Sequence, residues 1–217
     1  YTVRDAAAAD LAAVLRRSAE LGFDGVELHD LHGRSAVAVR ELLDEHGIVA
    51  CGRHVLLGAV ETELEALADE LAALGTDRLV VAWIPPPEDV SAADEVVERL
   101  VRAAARARSA GLRLGFHNHD AEVRTLADGR SVLDRLLAAS DGPFLELDLG
   151  WAWYAGADPL ALLEAAAPRA PLVHVKDLRR NGGPVHVPLG RGEVDYGRIV
   201  GAASHAGVEW LIVEQDE

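Results

Sequence analysis

Carboxylates and imidazoles in this chain recur at one kind of position, the end of a short apolar run. Read in order, the run ends carry Glu27 and His29, then His54, then Trp83, then His117, His119 and Glu122. Glu146 and Asp148 come next, then His174 and Lys176, then Glu214 and Asp216. Five of the nine histidines belong to this set. Gathered at one place, such groups repel or lose hydration unless something binds them, and a divalent cation does so economically. Glu122, Asp148, His174 and Glu214 come from four successive runs and form the candidate ligand set. Three carboxylates and one imidazole make a hard, oxygen-rich site that suits Mn²⁺ first, then Mg²⁺, with Co²⁺ or Zn²⁺ as alternatives.

A cation beside paired carboxylates suits removal of a proton next to a carbonyl, because the enediolate that forms is stabilised electrostatically. Two bases on opposite faces give epimerisation. One base that carries the proton along gives isomerisation. With a β-leaving group the same enediolate expels it, which is dehydration or glycoside elimination. The expected activity is a metal-dependent isomerase or epimerase of a keto-sugar or related polyol, with a lyase or hydrolase as the alternative. Glu122 and Glu214 are the expected bases.

Other run-end residues have supporting roles and plainer alternatives. His54, His117 and His119 are placed to contact sugar hydroxyls or relay protons, or simply to bond a neighbouring strand. Lys176 is the sole lysine among 21 basic residues and follows His174 by two, so strand alternation puts both on one side. It would neutralise an oxyanion or pair with Asp148 or Glu214. Trp83 and Trp151 would wall a sugar face or pack in a core. Arg191, between two glycines, would hold an anionic group or stand in solvent. Cys51 reads as a buried, inert thiol.

The elements that must position these groups are read from the hydrophobic pattern. Apolar runs at 25–28, 48–51, 79–83, 112–116, 144–147, 172–175 and 210–213 read as buried strands. Tyr1-Thr2-Val3 is counted as the end of an eighth. Between most of them lie Ala/Leu/Glu/Arg segments with three-and-four spacing, at 9–21, 36–46, 61–74, 92–110, 131–139, 159–166 and 198–205. Glycines such as Gly47 and Gly75 stand just past a helix and just before a strand, where a left-handed residue ends the helix cheaply. Strand and helix in alternation, without hairpin signals, predict parallel pairing. Eight units predict a (β/α)8 TIM barrel over residues 1–217 as one domain, with its final helix beyond the chain; an open doubly wound sheet is the alternative. In a barrel all the run ends meet at one mouth.

Composition narrows the function further. The chain has 217 residues and a net charge of −15, which argues against gripping nucleic acid or anionic membranes over a broad surface. One cysteine excludes a disulfide framework and a thiolate zinc cluster within the chain. No apolar run approaches the roughly 18 residues of a membrane span. No signal peptide is visible, so a cytoplasmic location is expected. The chain begins at Tyr1 and has no methionine, so a start outside it is expected. No glycine-rich phosphate loop calls for ATP or NAD.

Six stretches taken together resemble the xylose-isomerase-like TIM-barrel superfamily of sugar-phosphate isomerases and epimerases. They are GFDGVEL (22–28), LGFHNHDAEV (114–123), LELDLGWAWYAGADP (145–159), PLVHVKDL (171–178), PLGRGEVDYGRI (188–199) and EWLIVEQDE (209–217). The resemblance implies one metal held by a Glu, an Asp, a His and a Glu after strands five to eight, here Glu122, Asp148, His174 and Glu214. Relatives often offer a Glu where this chain has His117, so His117 or His119 is an alternative fifth-strand ligand. The superfamily includes inosose and dehydroshikimate dehydratases and 3-keto-glycoside-cleaving enzymes. Its members are often dimers or tetramers, which keeps a homo-oligomer open. The expected partner is a small-molecule sugar.

Overall fold

The computed structural model describes residues 1–216. Seven parallel strands form a nearly closed barrel: β1 (Gly25–Leu28), β2 (Val49–Val55), β3 (Arg78–Val81), β4 (Arg113–His117), β5 (Phe144–Asp148), β6 (Leu172–Val175) and, last in the chain, β9 (Trp210–Val213). Each pairs with the next in that order. The intervening β7 (Asp177–Arg180) and β8 (Pro184–Val187) form a separate antiparallel hairpin. All four residues of β6, and every residue of β5 after Phe144, are buried, as expected for strands covered on both faces.

Helices wrap the outside, including α1 (Arg4–Glu20), α2 (Ala36–His46), α3 (Leu57–Thr62), α4 (Leu64–Leu74) and α5 (Val90–Ser109). After β4 come α6 (Asp120–Val123) and α7 (Val132–Ala138), and after β5 come α8 (Leu149–Ala155) and α9 (Pro159–Ala166). The last is α10 (Tyr196–Ala203). Gly47 and Gly75 end α2 and α4 at φ 67° and 80°, the left-handed conformation their sequence positions predict.

Two expectations from sequence are corrected. Tyr1-Thr2-Val3 is not a strand. Its carbonyls are spent on starting α1, where the Arg4 amide donates to Tyr1 O at 3.0 Å and the Ala7 amide to Val3 O at 2.8 Å. The barrel therefore has seven staves, and β1 and β9 face each other as unpaired edges. A cavity of about 990 Å³ runs along this seam, lined by α1, β1 and β9 and reaching Glu27, His174 and Glu214. The hairpin is the second departure, since the sequence pattern predicts none. Asn181-Gly182-Gly183 makes its turn, with Gly182 at φ 71°.

Candidate metal centre

The mouth of the barrel is built by the strand ends and by the short segments just beyond them. At the end of β4, Asn118 is fully buried and clamps the next strand. Its Oδ1 accepts from the Asp148 amide at 3.1 Å, and its Nδ2 donates to the Asp148 carbonyl at 3.2 Å. Asp148 then caps α8, where its Oδ1 accepts from the Trp151 amide at 2.8 Å. That bond leaves Oδ2 buried and without a hydrogen bond, 3.1 Å from Lys176 Nζ. Gly150 lets this helix start lie against β6; a Cβ there would overlap the Lys176 carbonyl oxygen.

Lys176 stands just past β6. Its Nζ lies 2.9 Å from Glu214 Oε2 and 2.9 Å from Asp216 Oδ2, so one ammonium spans three carboxylates. Burial works against its charge, yet Asp148, Glu214 and Asp216 more than offset that and raise its pKa. Asp177, next in the chain, points the other way. Its carboxylate accepts from the amides of Gly190 (2.9 Å), Gly192 (2.8 Å) and Val194 (3.3 Å), which folds the 188–194 loop back onto β7.

His174 is the hub. Nδ1 lies 2.9 Å from Glu214 Oε2, and Nε2 lies 2.8 Å from Glu27 Oε2 and 3.3 Å from Glu146 Oε2. His117, Asp148, His174 and Glu214 each offer a ligand atom within 4.8 Å of the others. All four are buried. Burial would raise the Glu214 pKa, but His174 and Lys176 outweigh it and hold the group ionised. A buried donor set in which Glu214 is held ionised and Asp148 Oδ2 lacks a hydrogen bond fits a divalent cation.

Beneath it, His54 Nε2 sits 2.7 Å from Glu146 Oε2 and 3.0 Å from Glu27 Oε2, and His117 Nδ1 is 3.1 Å from Glu146 Oε2. His119 lies above, its ring 4.9 Å from that of His117 and 6.0 Å from that of Trp151. Burial, then the charges of His117 and Lys176, push its pKa down to about 4, so its imidazole is neutral at pH 7.

The structure thus brings together His54, His117, His119, Asp148, Trp151, His174, Lys176 and Glu214. Trp151 stands 5.1 Å from Lys176 Nζ, ring centroid to nitrogen. Three expected residues are placed otherwise. Glu122 stays outside the four-ligand group, because its Oε2 accepts from the His119 amide at 2.8 Å and closes the cap of α6. Trp83 is 48% exposed, and Arg191 stands exposed on its loop. Glu27, Glu146 and His186 carry no role in the sequence reading. Glu27 and Glu146 sit on run ends, which is the signal the sequence offers for them. His186 comes in on the unexpected hairpin and reaches within 3.7 Å of Asp216.

Residues 15–217 match the family model described as xylose isomerase-like TIM barrel. The chain belongs to this family. Among similar proteins, an inosose dehydratase from Geobacillus kaustophilus (strain HTA426) is 28% identical over 194 residues, 77% of this chain. The chain spans 62% of that relative's length. A sugar phosphate isomerase/epimerase from Parabacteroides distasonis ATCC 8503 superposes with a TM-score of 0.83 at 20% identity, over 98% of this chain and 83% of that one. A xylose isomerase-like TIM barrel protein from Mycobacterium smegmatis, in complex with magnesium, gives 0.70 at 19% identity, over 97% and 83%. At such identities the two structures share the fold. Among the described residues no helix of this xylose isomerase-like barrel is long and apolar enough to cross a membrane.

Proposed function

We propose that this barrel is a divalent-cation-dependent dehydratase of a small keto-polyol: it removes the proton beside a ketone and expels a β-hydroxyl as water. The observation that carries this reading is the asymmetry of the proton-handling groups at the mouth. A neutral imidazole, His119, and the buried Lys176 ammonium both lie against the Trp151 ring, at 6.0 Å and 5.1 Å from its centroid. Epimerisation wants two equivalent bases; elimination can run on one imidazole that takes the α-proton and returns it to the leaving hydroxyl. The similarity to an inosose dehydratase supports the same choice.

Asp148, His174 and Glu214 would hold the cation, with His117 at the fourth corner. When bound, the cation supplies Lewis-acid polarisation of the ketone oxygen. Two imidazoles and two carboxylates are less hard than the set expected from sequence, which leaves Mn²⁺, Co²⁺ and Zn²⁺ on equal terms with Mg²⁺. His119 Nδ1 or Nε2 accepts the α-proton, and the electron pair of that C–H bond becomes the new C=C bond. The imidazolium so formed on His119 returns the proton to the departing hydroxyl, which leaves as water with the C–O electron pair, while Lys176 keeps its charge beside the site. Glu122 positions His119 through its backbone amide. Trp151 offers an apolar ring and a buried, unpartnered Nε1–H to a polyol.

The test is to incubate metal-loaded protein with inososes, ketoses and 3-keto-glucosides in deuterated water and follow them by NMR. Loss of water with a vinylic product supports dehydration. Deuterium entering one carbon with no loss of mass assigns the isomerase or epimerase reading instead. No exchange with any substrate sinks both.

A further inference from the structure

We propose that the barrel floor holds a second cation seat, made by His54, His117, Glu146 and His174, which takes a zinc-like ion and cannot be filled together with the mouth seat. The four residues come from β2, β4, β5 and β6 and each offers a ligand atom within 4.8 Å of the others. Three imidazoles and one carboxylate form a soft, nitrogen-rich set that favours four-coordinate Zn²⁺ over Mg²⁺.

The spacing fits that geometry. Donors around a tetrahedral zinc, each roughly 2.1 Å from the ion, stand about 3.4 Å apart. Here Glu146 Oε2 lies 2.7 Å from His54 Nε2, 3.1 Å from His117 Nδ1 and 3.3 Å from His174 Nε2. In the three pairs that include Glu146 the spacing falls short of this by less than an ångström, and the remaining pairs lie within 4.8 Å. A second observation points to a ligand independently. Glu146 is fully buried and its Oε1 has no partner, and Glu27 Oε1 beside it has none either. Unpaired carboxylate oxygens this deep are costly unless a cation draws on the group.

Exclusion comes from the chemistry of one imidazole. A neutral ring has a single lone-pair nitrogen; the other nitrogen carries the proton. With the proton on Nε2, His174 donates to Glu27 and Glu146, and its Nδ1 faces Glu214 and the mouth. With the proton on Nδ1, it donates to Glu214, and Nε2 faces the floor. The ring serves one seat or the other. Zinc in the floor therefore strips the mouth of His174, and His117 is common to both sets as well. The floor seat is an inhibitory site for the softer ion. It shares His174 with the proposed catalytic centre but does not depend on which reaction occurs there.

Zinc and manganese affinities of the metal-free protein, measured by competition with a chromophoric chelator, test this directly. Wild type should bind one Zn²⁺ per chain. His54→Ala should lose about tenfold or more in Zn²⁺ affinity, with Mn²⁺ affinity held within about twofold, because His54 belongs to the floor set alone. Unchanged Zn²⁺ affinity in His54→Ala overturns the seat, and two zinc ions per wild-type chain overturn the exclusion. X-ray absorption of zinc-loaded wild type gives an answer that needs no variant. Three imidazole nitrogens and one oxygen support the floor; a shell with two imidazoles overturns it. Failure of every substrate in the exchange experiment would leave these metal readouts untouched.

Discussion

Tyr196 holds Lys176 by both of its backbone groups: the phenol donates to the Lys176 carbonyl at 2.7 Å and accepts from the Lys176 amide at 2.8 Å. Lys176 stands just past β6, where the barrel ladder has ended, so a side chain from α10 completes its pairing. Tyr196→Phe leaves a buried amide and carbonyl unpaired and should cost about 1–3 kcal/mol. Urea unfolding measures it; a change under a few tenths would show that water replaces the phenol.

Gly192 has no room for a side chain. A Cβ there would overlap Oδ1 of Asp177, the residue whose two carboxylate oxygens organise the 188–194 loop. Gly192→Ala should destabilise by about 1–3 kcal/mol and expose the loop to proteolysis. An unchanged melting temperature and digestion pattern would contradict the role given to Asp177.

Glu214 touches both His174 and Lys176. Glu214→Gln should weaken Mn²⁺ binding and lower turnover about 100-fold or more. Equilibrium dialysis and steady-state rates, taken with saturating metal, separate the two losses. Full turnover in the variant would remove Glu214 from the mechanism.

Two histidines set opposite limbs of the stability profile of metal-free protein. An unfolded imidazole titrates near about 6.5. His119 in the fold titrates at about 4, so between those values the unfolded chain binds more protons and stability rises with pH. Its contribution is whole above the upper value and lost as the pH falls through the lower. His54 is raised to about 10, since Glu27 and Glu146 outweigh its burial. Its contribution is whole below about 6.5 and is lost as the pH climbs from there through the folded value. His119→Gln should flatten the acid limb and His54→Gln the alkaline limb, as read by urea midpoints from pH 4 to 10. Limbs that survive both substitutions would assign them to other groups.

Cation binding to the folded state alone should raise its stability. Free metal at 100 times its dissociation constant adds about 2.7 kcal/mol. Unfolding with and without chelator measures this, and coincident curves would mean that no ion is held.

Much of this architecture is visible in the residues. Strands β3 to β6 stand out as apolar runs, because a strand buried on both faces leaves no alternation to misread; β9 is an apolar run too, although Leu211 and Val213 are exposed. Asp148, His174 and Glu214 are legible from their run ends, since parallel strands deliver their ends to one mouth. Three features are hidden for separate reasons. Tyr1–Val3 has strand-like composition, but helix initiation claims its carbonyls. The hairpin carries an Asn-Gly turn signal, yet Pro184 and the short runs around it mask the strands. Glu122 lies three residues after His119, the spacing of a helix cap, and local backbone bonding competes with ligation in a way spacing cannot rank.

The open seam gives His174 a mechanical part. The backbone ladder stops at β1 on one rim and β9 on the other, yet His174 reaches Glu27 of β1 and Glu214 beyond β9 at once. It is a latch across a split hoop. Breathing of the two rims is then geared to whatever the imidazole is gripping. Amide exchange in β1 and β9 should slow when an ion is loaded.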